Sequence, residues 1–491
     1  AYAPLLAMRE NHRVETTIKK GLVIVDDKKR NYDLFTTTLT LPFYIPFTED
    51  REDQCIIDEF DPKPACPALY EWMTTSSGAF PNHADPLPQK HESEKVEVNV
   101  YTPHDWDRRS KLPIVIFVHG VTGKKDDASL MAKDYTENGF AVLSIDMPYH
   151  GTRVRHDANN VEISARENKS FFINIDSPLA LRSNLQQSVS DFLGLRYALK
   201  DLPWADAQDV HLVGLSLGGI MSVMISEFSQ NDADVSFKTV NFVVPGQGLT
   251  NLTLSSQTLG PEMSEAVKKS PDVQRSIAET VIPNTCTSSA TNQECIEALR
   301  EFVEVSGENM TTVKQLEDDI YSLIEPSLLQ GVQTTIDSAD PASFTTEQTA
   351  NLQPTLLIEA VGNCGSTCEV GEYLPDTVVP NSAPNNIRTG TNPLIRALEL
   401  DSITKEYTPS LSTRGVIRTT TGGHGTFLFP YEGPMDETGL PGFPEGDTMD
   451  YVRDATDIQQ VAVASMVRSN NHLVTVKNTE HIETEVPSDE E

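Results

Sequence analysis

Short, wholly apolar runs alternate with segments of helical periodicity from Val96 onward, and this alternation constrains the fold more than any other feature of the chain. Ile114-Val115-Ile116-Phe117-Val118, Ala141-Val142-Leu143-Ser144-Ile145, Leu212-Val213, Phe242-Val243-Val244 and Leu356-Leu357-Ile358 each end in a Gly, Pro or polar loop. Such runs are read as strands buried on both faces. Between them, Asn184 to Leu199 places Leu185, Val189, Phe192 and Leu199 on one helical face, and Ile220 to Phe228 follows directly on a glycine pair. Strands separated by helices predict an α/β fold with a mostly parallel sheet. In such sheets the chemistry sits beyond the carboxyl ends of the strands.

Two stretches interrupt the alternation. Residues 249–352 carry helical periodicity (Ile296, Leu299, Phe302 and Val303, then Val313, Leu316, Ile320, Leu323 and Ile324). A structureless loop of that length conflicts with a compact domain, so a helical subdomain inserted into the sheet is predicted. The second stretch, Pro430 to Asp447, is rich in Pro, Gly and acids and reads as a surface excursion. Before the alternation, the β-like runs Gly21–Val25 and Leu34–Pro46 make residues 1–92 a β-rich N-terminal extension and connector. The expected division is therefore 1–92, a first core segment 93–248, the helical insertion 249–352, a second core segment 353–470 and an acidic C-terminal tail 471–491. Glu480 to Glu491 holds six acids and no Lys or Arg, which reads as a solvated tail.

Charge excludes some partners. Over its 491 residues the chain has 72 acidic against 38 basic side chains, a formal charge of −34. Phosphate backbones and anionic headgroups are repelled by such a surface, so neither nucleic-acid binding nor polybasic membrane docking is expected. No stretch approaches the ~18 consecutive apolar residues of a membrane span. The opening residues, Ala1-Tyr2-Ala3-Pro4-Leu5-Leu6, lack the charged n-region of a signal peptide, so any export signal or anchor is expected to be missing from this chain. Six cysteines fall into the couples Cys55/Cys66, Cys286/Cys295 and Cys364/Cys368, each in a polar loop. That pattern favours three short disulfide loops and an oxidising, extracellular or cell-surface location. Neither a Cys/His metal pattern nor EF-hand spacing occurs, and no metal or cofactor is expected.

The chemistry centres on Gly214-Leu215-Ser216-Leu217-Gly218-Gly219, a G-x-S-x-G between a predicted strand and a predicted helix. A serine at a sharp strand-to-helix turn needs neighbours without Cβ atoms, and its hydroxyl then stands at the top of the sheet. The plainer alternative is a Gly-rich turn holding an ordinary serine. Serine needs a base to take its proton, and only His424, His472 and His481 follow it. His424, in Thr421-Gly422-Gly423-His424-Gly425-Thr426 just past a strand at Gly415 to Thr419, is the predicted base; the other two lie in the polar tail. The acid that orients it comes from Glu359, Glu369, Glu372 or Asp376. Asp376 is favoured by its place after the strand and its rigid apolar flank, with Glu372 in reserve. Asn363, the simplest placement, carries no charge. The backbone N–H groups of Leu217 and of Val121, in the loop His119-Gly120-Val121-Thr122-Gly123, are the expected oxyanion donors. Tyr149 and His150, with His119, are candidates to line the substrate pocket.

These residues resemble the α/β-hydrolase superfamily of serine esterases and lipases: a His119-Gly120 oxyanion loop, a nucleophile elbow at Ser216, then Asp376 and His424 in that order. The resemblance covers residues 95 to 470. Asp146-Met147-Pro148-Tyr149-His150-Gly151-Thr152-Arg153, the helix opened by Ser177-Pro178-Leu179-Ala180-Leu181-Arg182, and the loop around Asp376 resemble the bacterial extracellular lipases and lysophospholipases. The likeness implies an α/β-hydrolase fold whose helical insertion is a cap or lid. It also implies carboxylic-ester hydrolysis of acylglycerol or lysophospholipid substrates through an acyl-serine intermediate, and the expectation extends to other hydrophobic esters, polyesters included. A serine peptidase or amidase on the same fold, and a non-catalytic surface module, are the competing readings.

Overall fold

A computed structural model describes residues 2–26, 31–47, 71–156, 160–174, 177–364, 368–384, 386–405, 413–438 and 440–484. Eight strands build its central sheet: β1 (Tyr32–Phe43), β2 (Glu92–Pro103), β3 (Leu112–Val118), β4 (Ala141–Ser144), β5 (Ala205–Leu215), β6 (Thr239–Val243), β7 (Thr355–Ala360) and β8 (Arg414–Thr419). Across the sheet they run β1-β2-β4-β3-β5-β6-β7-β8. From β4 to β8 every neighbour is parallel, whereas β2 meets β4 and β1 meets β2 antiparallel. Short strands at Thr17–Ile18 and Val23–Asp26 extend the β1 edge, and Asp401–Ser402 extends the β8 edge. This is the α/β-hydrolase fold.

The apolar runs become two-sided strands because both faces are covered. Ile114, Ile116, Leu212, Phe242 and Leu357 pack with Leu185, Val189 and Phe192 of α2 (Pro178–Ala198) and with Ile220 and Val223 of α3 (Leu217–Ser229). Their sequence neighbours Val115, Phe117, Val213, Val243 and Ile358 point the other way, toward Ile458, Ala462 and Val463 of the C-terminal helix at Asp447–Arg468. A parallel sheet requires this double cover, since its strands have no polar face to offer water.

Three expectations change. The N-terminal segment opens with a helix, α1 (Tyr2–Glu15), which buries Leu5, Met8 and His12; its His12 Nε2 meets Ser190 Oγ of α2 at 2.9 Å. The segment's strands join the central sheet through the full-length β1–β2 ladder. At the other end, Val474, Val476, His481 and Ile482 are buried, and Ile482 bridges to Thr419 of β8. The acids at 480–491 masked this packed segment, whose apolar residues are few; residues 485–491 lie outside the described ones. Cys55 and Cys66 also fall outside the described residues. The other two couples are bonded, Cys286–Cys295 and Cys364–Cys368, each with Cα atoms 4.9 Å apart.

Between β6 and β7 the chain leaves the sheet through α4 (Leu249–Ser255), α5 (Gly260–Lys268), α6 (Pro271–Val281), α7 (Asn292–Val305) and the long α8 (Gly307–Ile336). Fully buried Asp340 joins departure to return: its carboxylate accepts the N–H groups of Gly248 (3.0 Å) and Leu249 (2.6 Å) at the start of α4, and that of Ala342 (2.9 Å) past the end of α8. Among the described residues no helix is long and apolar enough to cross a membrane.

Candidate active site

Ser216 occupies the turn between β5 and α3 with φ 58° and ψ −124°, a region that costs a non-glycine residue about 1–3 kcal/mol and persists only where the surroundings enforce it. Two features enforce it here. The Ser216 N–H donates to Val243 O of the neighbouring strand at 2.9 Å. Gly218 lets α3 approach the sheet so closely that a Cβ there would lie 2.1 Å from Val118 O. The turn lifts the hydroxyl off the sheet, and His424 Nε2 lies 2.7 Å from Ser216 Oγ.

His424 comes from the loop after β8, and its Nδ1 is 2.7 Å from Asp376 Oδ2. Asp376 is held in turn: its N–H donates to Ala360 O at the end of β7 (3.0 Å), and its Oδ1 accepts the N–H groups of Val378 and Val379, both at 2.8 Å. The apolar flank therefore supplies the backbone donors that fix the carboxylate, while Oδ2 is left for the imidazole. Burial works against the protonated form of His424, but the charge and hydrogen bond of Asp376, with a further contribution from Glu432, hold its pKa above the ordinary histidine value. Side-chain exposure is 12% for His424 and 1% for Asp376, so little water screens this pair.

The other candidate acids turn elsewhere. Glu359 points from β7 to Arg418 Nε at 2.8 Å, and burial pushes its carboxyl up to about 7 in spite of that partner. Glu372 accepts the N–H of Glu369 beside the Cys364–Cys368 loop, and Asn363 closes the same loop by accepting the Tyr373 N–H at 2.7 Å. His481 is buried rather than exposed, and its Nδ1 lies 3.1 Å from Thr421 Oγ1, at the root of the loop that carries His424.

Val121 and Leu217 both border the cavity beside Ser216. As the first residue of α3, Leu217 has no intrahelical acceptor for its N–H. The loop holding Val121 passes against Ser216, since a Cβ on Gly120 would sit 3.2 Å from Ser216 Cβ. The cavity is almost entirely apolar, walled by Ile173, Leu181 and Leu185, by Ile220, by Leu249, Leu252 and Leu259, by Val332 and Ile336 of α8, and by Val378 and Val379.

His119, Tyr149 and His150 are not among the residues that line it; all three are buried behind the loop of Val121. His119 accepts the Met147 N–H through Nε2 (3.0 Å) and donates from Nδ1 to Gly120 O (2.8 Å). Burial lowers its pKa. The His150 ring lies between the carbonyls of Pro148 and Val121. Asp146 organises this whole segment, accepting the N–H groups of Lys125 (2.7 Å) and Thr152 (2.8 Å). Gly151, at φ +51°, leaves no room for a Cβ beside the Asp146 carboxylate. The segment thus supports the loop of Val121 from behind, while Arg153 pairs with buried Asp191 at 2.7 Å. Sequence signals of polarity at a strand end did not distinguish a wall of the pocket from a buttress one layer deeper.

Among the described residues no group of three or more His, Cys, Asp or Glu is placed to hold a metal ion. No protein-family model matches the chain, and no curated protein matches it. Solved structures similar to it include acetyl xylan esterases from a Paenibacillus species (11% identity, 86% of each chain covered, TM-score 0.41) and from a Thermoanaerobacterium species (11% identity, 86% of this chain and 88% of that one, TM-score 0.39). An esterase from Pyrobaculum calidifontis is 14% identical over 76% of this chain and 83% of its own, with TM-score 0.35. At these values the fold assignment rests on the strand order and on the turn at Ser216.

Proposed function

We propose that the protein is a serine carboxylic-ester hydrolase that cleaves hydrophobic acyl esters through an acyl-serine intermediate. The observation that carries this reading is the unbroken chain from Ser216 Oγ to His424 to Asp376, opening into an apolar cavity. His424 Nε2 takes the Ser216 proton as the hydroxyl attacks the ester carbonyl, and later returns it to the departing alcohol. Asp376 fixes the tautomer and stabilises the imidazolium. The backbone N–H groups of Val121 and Leu217 receive the oxyanion. Water, activated by the same histidine, then releases the acid.

The cavity wall supplies the specificity. Leu181, Leu185, Ile220, Leu249, Val332 and Ile336 offer an acyl chain an apolar lining, with Thr250 and Thr253 as its few polar edges. Lipid acyl esters, lysophospholipids and polyester segments share this chemistry, and uncharged or zwitterionic forms suit a chain of charge −34. Two bonded cysteine pairs support work in an oxidising, extracellular compartment. A panel of short acyl esters, triacylglycerol, lysophospholipid, polyester film and peptide amides tests the reading, together with fluorophosphonate labelling. Ester cleavage with a label on Ser216 is the expected result; amide cleavage in preference to esters, or no label, would overturn it.

A further inference from the structure

The Pro/Gly/acid-rich excursion after Pro430 carries a second carboxylate into the neighbourhood of the base. Glu432 Oε1 accepts the Gly425 N–H at 2.5 Å, directly after His424. Its Oε2 lies against Gly423, directly before it, where a Cβ would fall 1.9 Å from that oxygen. One carboxylate thus hydrogen-bonds the residue after His424 and packs against the residue before it. Beyond Glu432 the chain forms a hairpin closed by Gly433 N–H to Gly442 O and Gly442 N–H to Pro434 O, both at 2.9 Å. The hairpin reaches the other side of the site: Met435 N–H donates to Glu372 O (2.6 Å), and Met435 O accepts the Gly371 N–H (2.9 Å). Residues 371 and 372 belong to the loop that leads into Asp376.

We propose that Glu432 is a positioning residue for His424, and that the excursion, through Glu432 and Met435, is a strap tying the loop of the base to the loop of the acid. This rests on the hydrolase reading above. The separation it controls is a long one in sequence, since Asp376 and His424 stand on loops after different strands, β7 and β8. Hydrogen bonds along those strands register Ala360 against Thr419, and beyond that point Asp376 N–H returns to Ala360 O (3.0 Å) while Thr420 N–H donates to His481 O (3.0 Å). The strap adds a direct link between the two loops at their outer edge. A positioning role matters because a displacement of about 1 Å at such a site can cost 10²-fold in rate.

Charge adds a second effect. Asp376 and Glu432 are the charged groups that act on His424. Tyr431 is hydrogen-bonded to Glu432, and behind Asp376 lies Glu359, paired with Arg418. Glu432 therefore favours the imidazolium that forms as serine attacks.

The variants Glu432→Gln and Glu432→Ala test this, the first keeping a carbonyl acceptor for Gly425 without the charge. Three readouts are compared with wild type: thermal midpoint, kcat and KM on a short ester, and the pH titration of the low-field proton shared by His424 and Asp376, followed by NMR. Expected are a kcat about tenfold lower for Ala with little change in KM, partial rescue by Gln, and a His424 titration moved to lower pH in both. Wild-type kcat and titration in both variants would overturn the proposal. So would a loss of kcat that only follows a loss of thermal midpoint while the titration stays put. If the Ala variant does not fold, the Gln variant decides by its titration. Because that titration needs no substrate, it separates this proposal from the hydrolase reading, which falls if wild type neither labels at Ser216 nor cleaves an ester.

Discussion

The loops that carry Ser216, Asp376 and His424 and the helical insertion between β6 and β7 are stabilised in different ways. Ser216 directly follows β5, His424 sits in the loop after β8, and Asp376 lies further along the chain after β7, where hydrogen bonds from the sheet and from neighbouring residues fix it. The outer half of the insertion has a small core of its own, in which Val273, Ile277, Ala278, Leu299 and Val313 surround the Cys286–Cys295 bond. Only four of the thirty residues of α8 are buried, and two of these, Val332 and Ile336, belong to the main core and face the cavity. Leu323, on the same helix, is 79% exposed. The strand-end loops bring Ser216, His424 and Asp376 together, the inner ends of the insertion wall the apolar cavity, and the outer helices pack around a core of their own.

The sharpest way to break this comparison is at the core. Ser216→Ala should lower ester hydrolysis by about 10⁴–10⁶-fold with an unchanged thermal midpoint; retained activity would place the nucleophile elsewhere. Asp376→Asn keeps the shape and loses the charge, and kcat should fall by about 10⁴-fold as the imidazole adopts the wrong tautomer. The wild-type profile adds a check on the same pair. His424 must be neutral to act as base, and its pKa is raised, so kcat should climb with pH through a midpoint above that of an ordinary histidine. A midpoint at or below the ordinary value would contradict the Asp376 contact.

At the boundary of the two regions, Val332→Trp should block the cavity. Hydrolysis of medium-chain esters should fall by about 10–200-fold relative to acetyl esters, while Leu323→Ala on the exposed side leaves the ratio where it was. Equal effects on all chain lengths would show that α8 does not shape the acyl site. The smallest effect on chemistry is expected in the outer insertion. Replacing Cys286 and Cys295 by Ser removes a short loop closure worth about 2–3 kcal/mol. Hydrogen exchange in α6 and α7 should speed up, and Ser216 should still react with a fluorophosphonate at the wild-type rate.

Sequence patterns made much of this legible, for definite reasons. Parallel strands buried on two faces must be apolar throughout, so Ile114–Val118 and Leu356–Ile358 were readable as strands without partners. The glycines around Ser216 were readable because backbone contacts at the elbow exclude a Cβ. Other features left no such trace. The helix at Tyr2–Glu15 buries a narrow stripe of Leu5, Met8 and His12 in an otherwise polar segment. Packed Val474, Val476 and Ile482 were hidden by the acids that follow them. His119, Tyr149 and His150 looked like pocket residues because they end strands or follow them, yet they lie one layer behind the wall.

Local chemistry by itself determined the alternation of strand and helix, the strained serine turn, the insertion's helical character and the set of candidates for base and acid, because each depends on spacing within about twenty residues. Only the tertiary structure decided which carboxylate meets His424, which helix ends wall the cavity, and that Glu432 and Met435 touch the loops of His424 and Asp376. Those are contacts between residues far apart in the chain, and nothing in local periodicity or propensity records which loops a folded sheet brings side by side.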